Sequence, residues 1–158
     1  MYARFSEVEL VVVECAIAKV CSMLGVGPKI KLDVGFDLVC YRDCIEFFME
    51  RCEPVAEHWE EEVSVERLKY CLAVMHQQRL IHRDVKPGNI VWSCSQMKLV
   101  YCDFGISCTV IEEVGQKTLT DRQGTQRYMI AEQREMPGTE KGYIDLYYND
   151  MFALALTI

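Results

Sequence analysis

Four things are missing from this sequence, and each absence closes off a class of function. There is no basic surplus: 17 Lys and Arg stand against 24 Asp and Glu, a formal net charge of −7. Nucleic-acid binding needs clustered positive charge facing the phosphates, so that class is excluded. There is no long apolar run either. The run at residues 10–13 is cut by Glu14, far short of the roughly 20 apolar residues that cross a bilayer, and no membrane segment is expected. Residues 1–9 carry Arg4 but also Glu7 and Glu9, which does not read as a secretory signal. Nine cysteines are present, but none is paired as Cys-x-x-Cys; they lie at Cys15, Cys21, Cys40, Cys44, Cys52, Cys71, Cys94, Cys102 and Cys108. Tetrahedral zinc wants paired ligands at short spacing. The odd count among apolar neighbours fits reduced, buried thiols in a reducing compartment, cytoplasmic or nuclear.

What is present is a chain of 158 residues, 51% of them apolar, enough for one substantial core and too short for two full domains. Ser6 and Glu9 have capping-box spacing. Leu10, Val13, Ile17, Val20 and Leu24 then recur at helical intervals until Gly25, Gly27 and Pro28 end the pattern. One long amphipathic helix with that apolar stripe is expected. Val39-Cys40-Tyr41 and residues 45–49, separated by Arg42-Asp43, predict two antiparallel strands. After Pro54, the acidic residues 60–62 and the stripe Val65, Leu68, Leu72 and Met75 predict a second helix. Ile90-Val91-Trp92 and residues 98–102 flank the polar Ser93-Cys94-Ser95-Gln96, which predicts a hairpin. Residues 105–124 are polar and aperiodic, and predict a long surface loop. The run from Met151 to Leu156 is apolar all round, and predicts a fully buried helix. No repeat, low-complexity tract or linker divides the chain.

Four motifs occur in order within this frame. Residues 82–89 read His-Arg-Asp-Val-Lys-Pro-Gly-Asn, and Asp103-Phe104-Gly105 follows across the expected hairpin. Residues 124–132 read Gly-Thr-Gln-Arg-Tyr-Met-Ile-Ala-Glu, and residues 150–155 read Asp-Met-Phe-Ala-Leu-Ala. Together they resemble the catalytic loop, magnesium loop, activation-segment end and following helix of the eukaryotic-type Ser/Thr protein kinase family. The resemblance implies an α+β, protein-kinase-like fold. Residues 1–53 would form part of an N-lobe, with a C-helix, two strands and a hinge; residues 54–158 would form part of a mainly helical C-lobe. It also implies ATP and Mg2+ as cofactors, and a protein substrate or partner kinase.

Phosphoryl transfer asks a protein to hold magnesium against phosphates and to orient a hydroxyl, work suited to carboxylates and an amide oxygen. By resemblance, Asp84 accepts the proton of the substrate hydroxyl and Lys86 steadies the transferring phosphate. Asn89 and Asp103 ligate magnesium. Arg83 pairs with a phosphorylated activation segment, for which Thr118 and Thr120 are the candidate sites, while Asp121 offers a permanent weak substitute for the phosphate. His82 packs under Phe104 in a structural role, and His58 and His76 read as surface or half-buried side chains.

The amino-terminal part resembles the family more loosely. Residues 25–30, Gly-Val-Gly-Pro-Lys-Ile, are similar to the turn after the C-helix, and Glu14 is the candidate for the glutamate that anchors the ATP lysine. Residues 47–52, Phe-Phe-Met-Glu-Arg-Cys, resemble the strand entering the adenine hinge. There Met49 would guard the back pocket, and the segment from Glu50 to Cys52 would offer backbone groups to adenine. The family's Gly-rich loop and ATP lysine precede its C-helix and do not occur in this sequence; Lys19, Lys29 and Lys31 lie too late to substitute. Ile130-Ala131 replaces the family's Ala-Pro, and Glu132 is expected to lack its arginine partner. The expectation is a fragment or truncated kinase-like product. Three functions follow: a Ser/Thr protein kinase, an inactive mimic that binds and regulates a kinase or its substrate, or a small-molecule kinase of choline or sugar type, which residues 25–30 also resemble.

Overall fold

Helix α1 (Glu7–Leu24) ends where Gly25 adopts a φ of 71°. Its last turn closes through Val26 N and Gly27 N, which donate to Cys21 O at 2.9 and 3.1 Å, as a glycine stop allows. The computed structural model describes residues 7–30, 39–41, 44–46, 49–111, 117–137 and 140–158. The expected cap at Ser6, the spacer Arg42-Asp43, Phe47-Phe48 and Lys31 lie outside the described residues, as does the side chain of Leu10. α1 buries Cys15, Ile17, Ala18 and Cys21, and leaves Val13 and Val20 exposed. Its face is therefore rotated from the expected stripe. Apolar residues fill so much of this helix that several stripes fit the period, and the one used carries small side chains that let the helix approach the core closely.

Strands β1 (Val39–Tyr41) and β2 (Cys44–Glu46) pair antiparallel, Cys40 opposite Ile45. A 3-10 turn at Val55–Glu57 leads to α2 (Glu61–Gln77), which buries Ser64, Leu68, Cys71, Leu72 and Met75. Then come β3 (Leu80–Ile81), β4 (Ile90–Ser93), β5 (Lys98–Tyr101), β6 (Cys108–Thr109), β7 (Thr118–Thr120), α3 (Ala131–Arg134), β8 (Gly142–Ile144) and α4 (Leu146–Thr157). The hairpin β4–β5 runs from Ile90 opposite Tyr101 to Ser93 opposite Lys98. β3 pairs with β6, and β7 with β8, both antiparallel. Part of the stretch expected to be a loop is thus pinned by β6 and β7. Strands of two or three residues are too short to display a period, and their partners lie far away in the chain.

The main core joins Ile17, Ala18 and Cys21 of α1 to Leu68, Leu72 and Met75 of α2, the hairpin residues Ile90, Leu99 and Tyr101, then Phe104 and α4's Leu154. A satellite of Ile81, Val110, Ile130, Ile144 and Leu146 pins the polar segment beside it. Helix α4 is capped by Asp145, whose side chain accepts from Tyr148 N at 2.9 Å. It is not buried all round: Asn149, Asp150, Ala153 and Leu154 are buried, but Met151 is 40% and Leu156 50% exposed. Apolar composition permits burial on every face; among the described residues only one face has packing partners to supply it. Cys15, Cys21 and Cys71 are buried free thiols. Burial pushes Cys21 up to about 12 and Cys71 up to about 11, so both are inert. Among the described residues no helix is long and apolar enough to cross a membrane.

Candidate active site

The segment between β3 and β4 is shaped by a carboxylate from another part of the chain. Asp150 of α4 is fully buried. Its oxygens accept from His82 N at 2.8 Å, Arg83 N at 2.9 Å and His76 Nε2 at 3.0 Å, donors that a carboxylate removed from water requires. They hold Arg83 at a φ of 70°, a left-handed conformation that an arginine keeps only where its surroundings impose it. His82 is also fully buried. Its Nε2 meets Cys102 O at 3.1 Å while its Nδ1 accepts from Asp84 N at 3.3 Å, which fixes the neutral Nε2–H tautomer. Burial lowers its pKa despite the nearby Asp150 charge. The ring lies 5.4 Å from that of Phe104 and 5.3 Å from that of Tyr101, a strut between the loops.

Asp84, Lys86 and Asn89 converge. One Asp84 oxygen accepts from Thr125 N at 3.0 Å and Thr125 Oγ1 at 2.6 Å. The other accepts from Lys86 Nζ at 2.6 Å and Asn89 Nδ2 at 3.0 Å. Lys86 Nζ also donates to Thr125 Oγ1 at 2.9 Å. Burial pushes the Asp84 carboxyl up, but Lys86 and Thr125 outweigh it and hold its pKa below the ordinary carboxylate value, so it is ionised at neutral pH. Thr125 reaches it because Gly124 has a φ of 115° and passes so close that a Cβ there would lie 2.5 Å from Arg83 O. Sequence reading gave Thr125 no role of its own; its signal was its place after Gly124 in the motif of residues 124–132.

Asp103, at a φ of 62°, differs. Its side chain is exposed, and the bond to Gly105 N is long, 3.5 Å. It borders a narrow cleft with Glu14, Ile30, Met49 and Cys102. Burial first, then the Asp103 charge, raises the pKa of Glu14, so the two carboxyls oppose each other there. Asn89 commits its Nδ2 to Asp84, with a second bond to Asp84 O at 2.9 Å, which turns its amide oxygen away from that carboxylate. An exposed carboxylate and an amide oxygen are hard donors that fit magnesium. Among the described residues no group of three His, Cys, Asp or Glu is assembled to hold a metal alone.

Of the expected hinge residues, Met49 lines the cleft. Cys52 is half-buried with its thiol raised to about 11, by burial and then by Glu50. The Glu50 side chain turns to Lys29 and Ser93. Arg83 Nη2 donates to Thr120 Oγ1 at 2.9 Å, Asp121 Oδ1 at 3.0 Å and Asp121 O at 3.1 Å. Thr120 is 6% exposed, and the Thr118 hydroxyl is buried without a hydrogen-bond partner. His58 stacks on Trp92 at 4.3 Å, and Glu132 is exposed.

Residues 42–158 match the family described as protein kinase domain. The chain belongs to the protein kinase family. The kinase-like α+β fold expected from the motifs is therefore the fold observed. Among its kinase relatives, serine/threonine-protein kinase PknA of Nostoc sp. is 35% identical over 88 residues, 54% of this chain and 15% of its own length. Protein kinase wis1 of Schizosaccharomyces pombe is 36% identical over 84 residues, 52% of this chain and 13% of its own. Dual specificity mitogen-activated protein kinase kinase 7 of Homo sapiens is 31% identical over 128 residues, 80% of this chain and 29% of its own. The chain thus spans less than a third of each relative.

Proposed function

We propose that this kinase chain transfers the γ-phosphoryl group of Mg-ATP to serine or threonine hydroxyls of protein substrates. The observation that carries the reading is the Asp84 carboxylate, ionised and bonded to Lys86, Asn89 and Thr125 at 2.6 to 3.0 Å. Asp84 accepts the substrate hydroxyl's proton as the hydroxyl attacks. Lys86, shared between Asp84 and Thr125, places a positive charge beside the transferring phosphoryl. Asn89 and Asp103 would hold magnesium, which when bound neutralises charge on the phosphate oxygens. Met49 and the backbone from Glu50 to Cys52 border the adenine. In this reading residues 1–53 and 54–158 act as two lobes closing on the nucleotide, in a reducing compartment. The contact of Lys86 with Thr125, in the segment resembling the activation-segment end, supports protein over small-molecule substrates. Arg83 holds that segment, with Thr118 and Thr120 as the sites whose phosphorylation would compete with Asp121 for the guanidinium.

Incubation with labelled Mg-ATP and a protein substrate such as casein should give phosphoserine or phosphothreonine, and Asp84→Asn should lower the rate about 10³-fold. Transfer at a rate close to wild type after the substitution overturns the assignment. A second reading, a non-catalytic module that binds a kinase or its substrate, draws on the opposition of Glu14 and Asp103. It expects no transfer, and co-elution with a full-length kinase in gel filtration; a chain that elutes alone removes it.

A further inference from the structure

The stretch from Met49 to Glu53 is fastened at each end by an isolated β-bridge, Met49 to Ile30 and Glu53 to Trp92. Between them Glu50 joins three separate pieces of chain. Its backbone N donates to Lys29 O at 2.7 Å, and its Oε1 accepts from Lys29 N at 2.6 Å. The same oxygen accepts from Ser93 Oγ at 2.6 Å and Gln96 Nε2 at 3.4 Å, and Oε2 accepts from Ser95 N at 3.2 Å. Gln96 Nε2 also reaches Gly27 O at 2.9 Å. Glu50 therefore grips the turn of the β4–β5 hairpin on one side and the turn after α1 on the other. Burial acts to raise its pKa, but the bonds from Lys29, Ser93 and Ser95 overcome it and bring the carboxyl down to about 2. Hydrogen bonds to the charged form do this when they are well made and mutually supporting.

The far end of that hairpin carries the proposed magnesium ligands. Asn89 immediately precedes β4, Asp103 follows β5 by two residues, and Cys102 N donates to Asn89 O at 3.0 Å across the base. The ladder between is continuous for four residue pairs. A fully paired two-stranded ladder passes a displacement at its turn on to its base. No sequence motif indicated this role; in the hinge resemblance position 50 mattered for its backbone.

We propose that the Glu50 carboxylate is a positioning residue: by clasping the 93–96 turn to Lys29 it fixes the distance between the hinge segment and the pair Asn89 and Asp103, and so the fit of a magnesium nucleotide between them. The nucleotide part rests on the function proposed above; the clasp itself does not. The test compares wild type, Glu50→Ala, Glu50→Gln and Ser93→Ala by residue-resolved amide hydrogen exchange and by calorimetric titration with Mg-ADP. In Glu50→Ala, exchange at Lys29 and Ser95 should rise about tenfold or more, the loss of charge-assisted bonds, and exchange at Cys102 should rise with it. Mg-ADP affinity should fall about tenfold, with the circular dichroism unchanged. Glu50→Gln keeps an acceptor for Lys29 N and Ser93 Oγ, so faster exchange should be confined to Ser95, with most of the nucleotide affinity rescued. Unchanged exchange at Lys29 and Ser95 overturns the clasp. Faster exchange there with unchanged Cys102 exchange and unchanged Mg-ADP affinity overturns positioning. If wild type binds no Mg-ADP, the function proposed above fails, while exchange at Cys102 still decides whether the clasp holds the hairpin base. Should Glu50→Ala not fold, Glu50→Gln and Ser93→Ala decide, since each removes one defined bond.

Discussion

Asp84 and Asp103 lie before and after the β4–β5 hairpin, on its base side, and are treated in opposite ways. Asp84 is surrounded by donors from Lys86, Asn89 and Thr125, whereas Asp103 is exposed, with a 3.5 Å bond to Gly105 N and the Glu14 carboxyl across the cleft. The chain satisfies the first carboxylate internally and leaves the second exposed. In the proposed function, the Asp84 side is preorganised for proton transfer and the Asp103 side is open to cation and phosphate.

The contrast can be tested by breaking each side in turn. Asp84→Asn should lower phosphoryl transfer by about 10³-fold, measured as kcat at saturating ATP, while Asp103→Asn should leave the unfolding free energy in urea within about 0.5 kcal/mol of wild type and remove magnesium-dependent nucleotide binding. Equal destabilisation by the two would erase the distinction. Asp150→Ala strips the partner from two buried amides and His76, and should cost about 3 kcal/mol in urea unfolding; a loss below 1 kcal/mol, on the same scale, would show the Asp84 loop holding its shape without α4. Asp121→Asn should weaken the Arg83 contact and speed amide exchange in residues 117–128 by about threefold to tenfold. The Asp121 carboxyl is pushed up by burial but brought down further by Arg83 and Gln123, below its ordinary value. Its folded pKa is depressed, so its contribution is present in full above the unfolded value and lost as pH falls through the folded one. Exchange in wild type should therefore be flat between pH 5 and 7, about where both states are ionised, once the intrinsic rate is divided out. Smallest of all, Glu14→Gln should raise stability by about 0.5 kcal/mol or less, by removing one of two opposed carboxylates; a decrease would reveal a cation partner for Glu14.

What could be read in the sequence was local. The hairpin 90–101, the glycine stop at 25 and the order of the four motifs depend on neighbours in the chain, and the structure follows them. Contacts that close over long separations were not legible. Thr125 meets Asp84 across 41 residues and Asp150 meets Arg83 across 67, and nothing near either residue announces its partner. The face of α1 was misread because Val13 and Val20 are as apolar as the residues that pack, so the period did not select among them. The exposed flank of α4 was missed because composition reports what a side chain tolerates rather than what lies beside it. Glu50 was noticed for its backbone, since its side-chain partners lie 21 and 43 residues away.

Gly124 touches no proposed ligand and contributes no charge. Yet the 2.5 Å between Arg83 O and the place where its side chain would begin sets a size limit on the whole site. Even alanine at 124 would wedge the returning segment off the Asp84 loop and carry Thr125 with it, while Asp84, Lys86 and Asn89 kept their sequence and their local turns. A chain could thus retain all four motifs and lose the assembled carboxylate site through one methyl group. Clearance at this point, as much as the chemistry of the named side chains, determines whether the motifs form a site.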